Sequence, residues 1–291
     1  MSSLRDLKLR IRSIKSTQKI TRAMEMIAAS KMKKAQQQAL KGRPYLNKLS
    51  EMIAVLITSS EPKLTHKLLE KNNHSNNIAY IIITADRGLC GAFNTNIAKI
   101  SLENFSVRQD KGRKIVAVGR KIRQTMQRLG QSIVADFEQM ANAPEFLDTL
   151  GIARIVLDEY LAGSVDEAYL IYNHFYSTIN QKPVVQKLLP IEPETIFIAE
   201  SSANEASGKI DYIFEGEKNI LLDELLHRLV NIKVYQAVME SAASEHSARM
   251  ISMHQASDNA KEIVLNLTLE YNKTRQSKIT TQILEIIGAV Q

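Results

Sequence analysis

Cysteine occurs once in these 291 residues, tryptophan not at all, and aromatic side chains make up 5% of the chain. The single thiol, Cys90, excludes an intrachain disulfide and makes a reducing compartment the default. A 44% hydrophobic content is enough for a sizeable core, yet so few aromatics imply that much of the chain lies outside one. No apolar run approaches the ~20 residues that span a bilayer; Ile78 to Ala85 is only strand-sized, so any membrane role is expected to be peripheral. Glycine and proline are missing from two long stretches, residues 1–41 and residues 217–287.

What fills those stretches is helical. At about 1.5 Å per residue, the C-terminal one could reach roughly 105 Å, beyond what a small domain can cover. Counting by fours and threes from Leu225 reaches Leu229, Ile232, Gln236, Met239, Ala243, His246, Met250, Met253, Ser257, Ala260, Val264, Leu267, Tyr271 and Thr274. Eleven of these 15 positions are apolar or aromatic, which predicts a seam facing another helix. Small residues at Ala243, Ser257 and Ala260 allow close approach but bury little area, so the coil is expected to be slender and weakly gripped.

The N-terminal stretch supplies a partner. Leu4, Leu7, Ile11 and Ile14 hold one phase, and Thr17, Ile20, Met24 and Ile27 resume it one residue early, which predicts a local overwinding. Because the two stretches sit at opposite ends of the sequence, the residues between them must return the chain. The expected architecture is a globular head on a two-helix stalk.

The net charge of +7 is uneven: residues 1–43 hold twelve Lys or Arg against Asp6 and Glu25, a local +10 that leaves −3 elsewhere. Such a start fits a transit peptide, a nucleic-acid arm, or the solvated face of a coil in an acidic socket. The apolar phase runs on through the basic region without a cleavage-like break, against the first. No aromatic precedes Tyr45 to stack on bases, against the second.

Between the stretches the periodicity turns strand-like. Ile78–Ala85 and Ile115–Val118 are β-branched runs, each followed by a glycine-bearing turn and a helical pattern, the second helix being Lys121–Leu129. A helix over 145–162 precedes strands at 168–175 and 184–189, the last pair read as an edge hairpin through Asn180 and Pro183. Alternation of this kind predicts an α/β domain with a parallel, Rossmann-like sheet. The expected divisions are an N-terminal coiled-coil helix over 1–60, a loop with one short helix over 61–77, the α/β domain over 78–200, a linker over 201–216 and a C-terminal coiled-coil helix over 217–291.

Chemistry is scarce. Gly88 and Gly91 follow a strand, as in phosphate-binding turns, but GxGxxG needs a third glycine and a P-loop needs a Lys-Ser or Lys-Thr pair. A tight turn is the stronger reading, with Cys90 a small buried residue rather than a nucleophile. His246 and His254 are eight apart, too far for a one-turn metal pair. No catalytic, cofactor-binding or metal-ligating set is expected. The apolar tip of Ile283, Leu284, Ile286, Ile287, Ala289 and Val290 would be a liability in water and calls for a partner sheath.

Three blocks carry a family resemblance. Ile14-Lys-Ser-Thr-Gln-Lys-Ile-Thr-Arg-Ala-Met-Glu-Met-Ile-Ala-Ala-Ser-Lys31 resembles the N-terminal helix of the gamma subunits of F-type ATP synthases. Thr84-Ala-Asp-Arg-Gly-Leu-Cys-Gly-Ala-Phe-Asn94 is similar to that family's central turn, and Arg249–Met253, Ala256–Ala260 and Tyr271–Thr280 to its C-terminal signature. The resemblance implies a long antiparallel two-helix coiled coil from the chain ends plus the central α/β domain, working as a non-catalytic rotor shaft. The partners implied are three alpha and three beta subunits, an epsilon subunit and the membrane c-ring, with proton flow driving rotation and no nucleic acid involved. ATP chemistry would belong to the beta subunits. By motif match, Arg275, Gln276 and Thr280 would meet loops of the surrounding ring, Met24 and Arg249 would lie where rotation couples to catalysis, and Tyr212 and Glu215 would lie near epsilon or the c-ring. The implied location is the cytoplasmic face of a bacterial inner membrane, with the matrix face of the mitochondrial inner membrane as the alternative. Gly42 and Pro44 depart from a continuous first helix and predict a kink.

Overall fold

The computed structural model describes residues 3–58, 64–72, 75–140, 144–192, 212 and 214–288. Their elements run α1 (Leu4–Thr58), β1 (Asn77–Ile83), α2 (Phe93–Val107), β2 (Gly112–Val118), α3 (Arg120–Arg128), β3 (Ile133–Phe137), α4 (Phe146–Leu161), β4 (Glu167–Phe175), β5 (Gln181–Leu189) and α5 (Lys218–Gly288). The chain divides into two compact units: Met1–Ala29 with Arg249–Gln291, and Ser30–Ala248. Both long helices contribute to both units.

The sheet-bearing unit is organised by β1. Strand order is β3-β2-β1-β4-β5, with β1 paired parallel to β2 and β4, and β5 antiparallel to β4 at the edge. Every residue of β1 after Asn77 is buried, the mark of a parallel strand covered on both faces. Alternation by two divides its side chains. Ala79, Ile81 and Ile83 pack with Leu49 and Ile53 of α1, Ile152 and Val156 of α4, and Leu222 and Leu226 of α5. Ile78, Tyr80 and Ile82 pack with Ile97 and Phe105 of α2 and Ile122 and Met126 of α3. Two apolar layers therefore sandwich one sheet, and α5 is built into the first of them.

From Gln236 to Ser247 every residue of α5 is buried, so that this helix is enclosed on all sides although seven of the twelve residues are polar. Glu240 organises the polar contacts: its carboxylate accepts from the Gln236 amide at 3.0 Å, and lies 3.5 Å from Arg43 of α1 and 2.5 Å from Nδ1 of His174 on β4. Ala35 packs against Ala242 and Ala243, and Gly42 lies against Gln236, so within this unit α1 and α5 run antiparallel.

The helix α1 runs through Gly42 and Pro44 to Thr58, close to the expected end at residue 60. Gly42 serves close approach: a Cβ there would stand 3.0 Å from the Gln236 side-chain oxygen. The N–H that Pro44 lacks would have met the carbonyl of Leu40, and both residues are exposed, so water can take its place. The short helix expected within 61–77 is only a turn at residues 67–69 among the described residues; Leu68 at its centre is fully buried. Strand β3 had no counterpart in the sequence reading. Of the 201–216 linker only residues 212 and 214–216 are among those described, and Glu61, Pro62, Asn73, Ala289 and Val290 also lie outside them.

Candidate functional site

The unit formed by the two chain ends begins with a reciprocal cap. The Ser3 N–H donates to Asp6 and the Asp6 N–H donates to the Ser3 hydroxyl, both at 3.2 Å, which occupies donors that the first turn of α1 would leave bare. Along α5 the seam follows the heptad count: none of the fifteen positions from Leu225 to Thr274 is exposed. In this unit Met253, Ser257 and Ala260 are buried and Val264, Leu267, Tyr271 and Thr274 are half-buried. Beyond Thr274 every described side chain is exposed, including Ile283, Leu284 and Ile286.

On α1 the expected slip of phase is absent. The buried and half-buried positions run Leu4, Leu7, Ile11, Ile14, Gln18, Thr21, Met24 with Glu25, and Ala28, an unbroken alternation of threes and fours. Thr17 is exposed, and Ile20 and Ile27 keep 58% and 57% of their surface in water, as do Leu9 and Met26 to a similar extent. A helix that overwinds to bury two isoleucines must strain its hydrogen bonds; this one keeps its register and leaves them outside. The count of fours and threes, carried past Ile14 without a slip, would have found this outward apolar row.

Basic residues share that outer surface. Arg5, Lys8, Arg12, Lys15 and Lys19 line a groove of about 630 Å³ with Leu9, Ile11 and Ser16. Arg22 is anchored to Glu25 at 2.8 Å, and Glu25 accepts from Nδ1 of His254 across the seam at 3.2 Å. Of the residues singled out from the sequence, Met24 and Arg249 are half-buried here, whereas Arg275, Gln276 and Thr280 are exposed on α5. The Thr280 hydroxyl donates back to the Gln276 carbonyl at 3.0 Å.

Tyr212 and Glu215 belong to the sheet-bearing unit. The Tyr212 hydroxyl donates to Glu51 of α1 at 3.0 Å, and Lys48 holds the other Glu51 oxygen at 2.6 Å. The Lys48 hydrogen bond holds the Glu51 carboxyl below its ordinary range, while burial and the bond to Glu51 push the Tyr212 phenol up. Tyr212 is thus engaged within the chain; Glu215 is exposed.

Side chains flanking the Gly88–Gly91 turn tie it to its surroundings. Asp86 accepts from the Arg120 N–H at the start of α3 at 3.0 Å and from the Gln139 N–H at 2.8 Å. Asn94 accepts from the Ala85 N–H at 3.0 Å. Cys90 is buried among Ala85, Phe93 and Ala248. Among the described residues no cluster of His, Cys, Asp and Glu has the makings of a metal site, and no helix is long and apolar enough to cross a membrane.

A sheet-bearing body with its own two-layered core and a terminal pair of helices with a thin seam, apolar and basic side chains uncovered on it, is the class of architecture defined here. The comparisons specify the family. A family model described as ATP synthase matches residues 3–291. A relative from Dehalococcoides mccartyi named ATP synthase gamma chain is 43% identical over 99% of this chain and 98% of its own length. One of the same name from Nitrosomonas europaea is 39% identical over equal shares. The chain belongs to the ATP synthase gamma chain family. Its fold also matches a chain in the OSCP/F1/c-ring part of the Euglena gracilis mitochondrial ATP synthase, with TM-score 0.64 and 21% identity, covering 99% of this chain and 93% of that one. The central stalk and c-ring structure from Tetrahymena thermophila matches with TM-score 0.57 at 25% identity, covering 82% of this chain and 99% of that one. The nucleic-acid reading finds no support among these relatives.

Proposed function

We propose that this chain is the central-stalk rotor shaft of an F-type ATP synthase, carrying proton-driven rotation of the membrane ring to the catalytic subunits. The observation that carries the reading is the terminal-helix unit, whose narrow seam leaves one outward face basic and apolar at once. A ring of alpha and beta subunits with an apolar bearing and acidic loops would cover it, and burial of Ile20, Met26, Ile27 and the α5 tip would supply the missing apolar contact. The chain itself is non-catalytic in this reading. It turns one asymmetric surface past three beta sites, and Arg275, Gln276 and Thr280 touch ring loops while Met24 and Arg249 lie at the coupling level. Glu215 is available to epsilon or the c-ring; Tyr212 contributes by tying that segment to α1. Location at the cytoplasmic face of a bacterial inner membrane, held peripherally through the ring, follows from the same reading.

The test is co-expression with cognate alpha and beta subunits, followed by native mass spectrometry. One copy per ring of three alpha and three beta subunits, with ATP hydrolysis by the complex, is the expected result. Failure to enter a ring that accepts another gamma chain would overturn it. Arg275→Glu should leave the fold intact and lower coupled synthesis by roughly tenfold or more, about 1.4 kcal/mol or more of lost interface energy, as expected for a charge-assisted contact.

A further inference from the structure

A sheet ordered β3-β2-β1-β4-β5 reverses its winding between β1 and β4, and the crevice outside the carboxyl ends of such strands is where open α/β sheets take their ligands. In this chain α5 itself lies there. Ala248 packs against Ala85, Cys90 and Phe93, from the turn after β1 and the start of α2. Toward β4 and its hairpin, α5 turns a polar stripe of Glu240, Ser244 and Ser247, spaced so that all three share one helix face. Nδ1 of His174 lies 2.5 Å from a Glu240 oxygen, and the Ser244 hydroxyl donates to the Asn173 carbonyl at 3.0 Å. The Ser247 hydroxyl donates to the Thr178 carbonyl at 2.6 Å and its oxygen accepts from the Gln181 amide at 3.1 Å.

A hydroxyl within a helix commonly returns to the carbonyl four residues back, as those of Thr268, Thr280 and Thr281 do further along α5. Ser244 and Ser247 are fully buried and reach partners 71 and 69 residues away instead. Pro183, opposite Asn173 in the β4–β5 ladder, has no N–H to offer that carbonyl, and the Ser244 hydroxyl occupies it. Toward α1 the same segment presents Ala242 and Ala243 to Ala35, small contacts that set a distance but resist little when a helix turns about its own axis.

We propose that the β4–β5 hairpin is a clasp that fixes the rotational setting of α5 in the sheet-bearing unit, with Glu240, Ser244 and Ser247 as its positioning residues. Hydrogen bonds weaken steeply once bent, so a row of them along one stripe opposes rotation of the helix against the sheet where alanine contacts do not. Glu240 adds a second penalty, because rotation would strip a buried carboxylate of Arg43 and His174 together. The functional consequence rests on the rotor reading above: torque that enters the body from a membrane ring reaches the shaft helix through this clasp.

The test sets the double variant Ser244→Ala/Ser247→Ala beside Ser241→Ala, an equal deletion at a buried serine outside the stripe. In hydrogen exchange of the full-length chain, read by mass spectrometry, the double variant should exchange roughly tenfold faster over residues 173–181 and 240–248 and like the wild type over β1 and β2. Ser241→Ala should match the wild type throughout. In the membrane-bound complex, ATP synthesis driven by a proton gradient should fall roughly fivefold in the double variant, while hydrolysis by the detached complex and both activities of Ser241→Ala stay unchanged. Unchanged exchange in the double variant would overturn the clasp, whatever the role of the chain. Faster exchange with synthesis at the wild-type rate, or an equal loss in Ser241→Ala, would overturn its part in carrying torque. A wild-type chain that supports no synthesis in a complex that another gamma chain restores would overturn the rotor reading and not the clasp.

Discussion

The helix α5 has two environments along one continuous run. In the sheet-bearing unit it is enclosed on every side between Gln236 and Ser247; in the terminal unit one stripe is covered, and beyond Thr274 nothing described is. The sequence of the helix alone does not mark this change, because the same fours-and-threes seam passes through both parts. What changes is the number of neighbours. In the sheet-bearing unit a partner helix, a second helix and a sheet all contribute apolar surface, so the chain stabilises that part by itself. In the terminal unit the neighbour is a single helix, and the remaining surface is left for whatever surrounds it.

Truncation in the two units should expose that difference. Ile81 is fully buried in the layer between the sheet and α1, α4 and α5, where the surroundings are fixed by a sheet and three helices and collapse poorly around a cavity. Ile81→Ala should therefore cost about 3–4 kcal/mol in urea unfolding followed by circular dichroism. A loss below about 1 kcal/mol would mean that the layer is far softer than its burial implies. Met253→Ala, at a seam position with 5% exposure, should cost only about 1 kcal/mol, since a two-helix seam can close over the deletion. Its exchange signature should stay within the terminal unit. Should Met253→Ala prove as damaging as Ile81→Ala, the terminal unit would be a stabilising core in its own right, and the comparison would fail.

How much of this could be read beforehand followed the range of the interactions. The α5 seam was legible to Thr274, because a period of 3.5 is written locally. The strands β1, β2, β4 and β5 were legible, the first two as β-branched runs, with starts off by one to three residues and, among the ends, only that of β1 off, by two. Strand β3 was not: Ile133–Phe137 is short, half-covered, and alternates with the exposed Val134 and the carboxylate of Asp136, so no apolar run announces it. The α1 slip was a misreading of identity for position, since Ile20 and Ile27 are apolar yet Gln18 and Thr21 hold the seam. Glycine and proline at Gly42 and Pro44 carried two opposite meanings, and only the position of Gln236 shows that Gly42 admits a neighbour. The contact of His254 with Asp258 is an i, i+4 pair that a sequence can show, but Glu25 lies 229 residues away in sequence, and no local pattern reports it.

An effect of similar size and opposite sign sharpens the comparison from inside the better-built unit. Lys233 lies on α5 just before the enclosed stretch, and burial holds its ammonium well below the ordinary lysine range, with Glu192 pulling weakly the other way. Glu192 is itself engaged by Lys187 at 2.7 Å, so it compensates Lys233 incompletely. A lysine whose folded value is depressed binds its proton more readily in the unfolded chain, so at neutral pH it subtracts stability, and the loss shrinks as pH rises toward the unfolded value near 10. Lys233→Met keeps the stem and removes the charge. It should raise stability by about 1 kcal/mol at neutral pH, and the gain should dwindle by about pH 10 when thermal unfolding is followed at both. A destabilised variant at neutral pH would show that the ammonium is paired after all, and that enclosure of α5 depends on charge as well as on apolar layers.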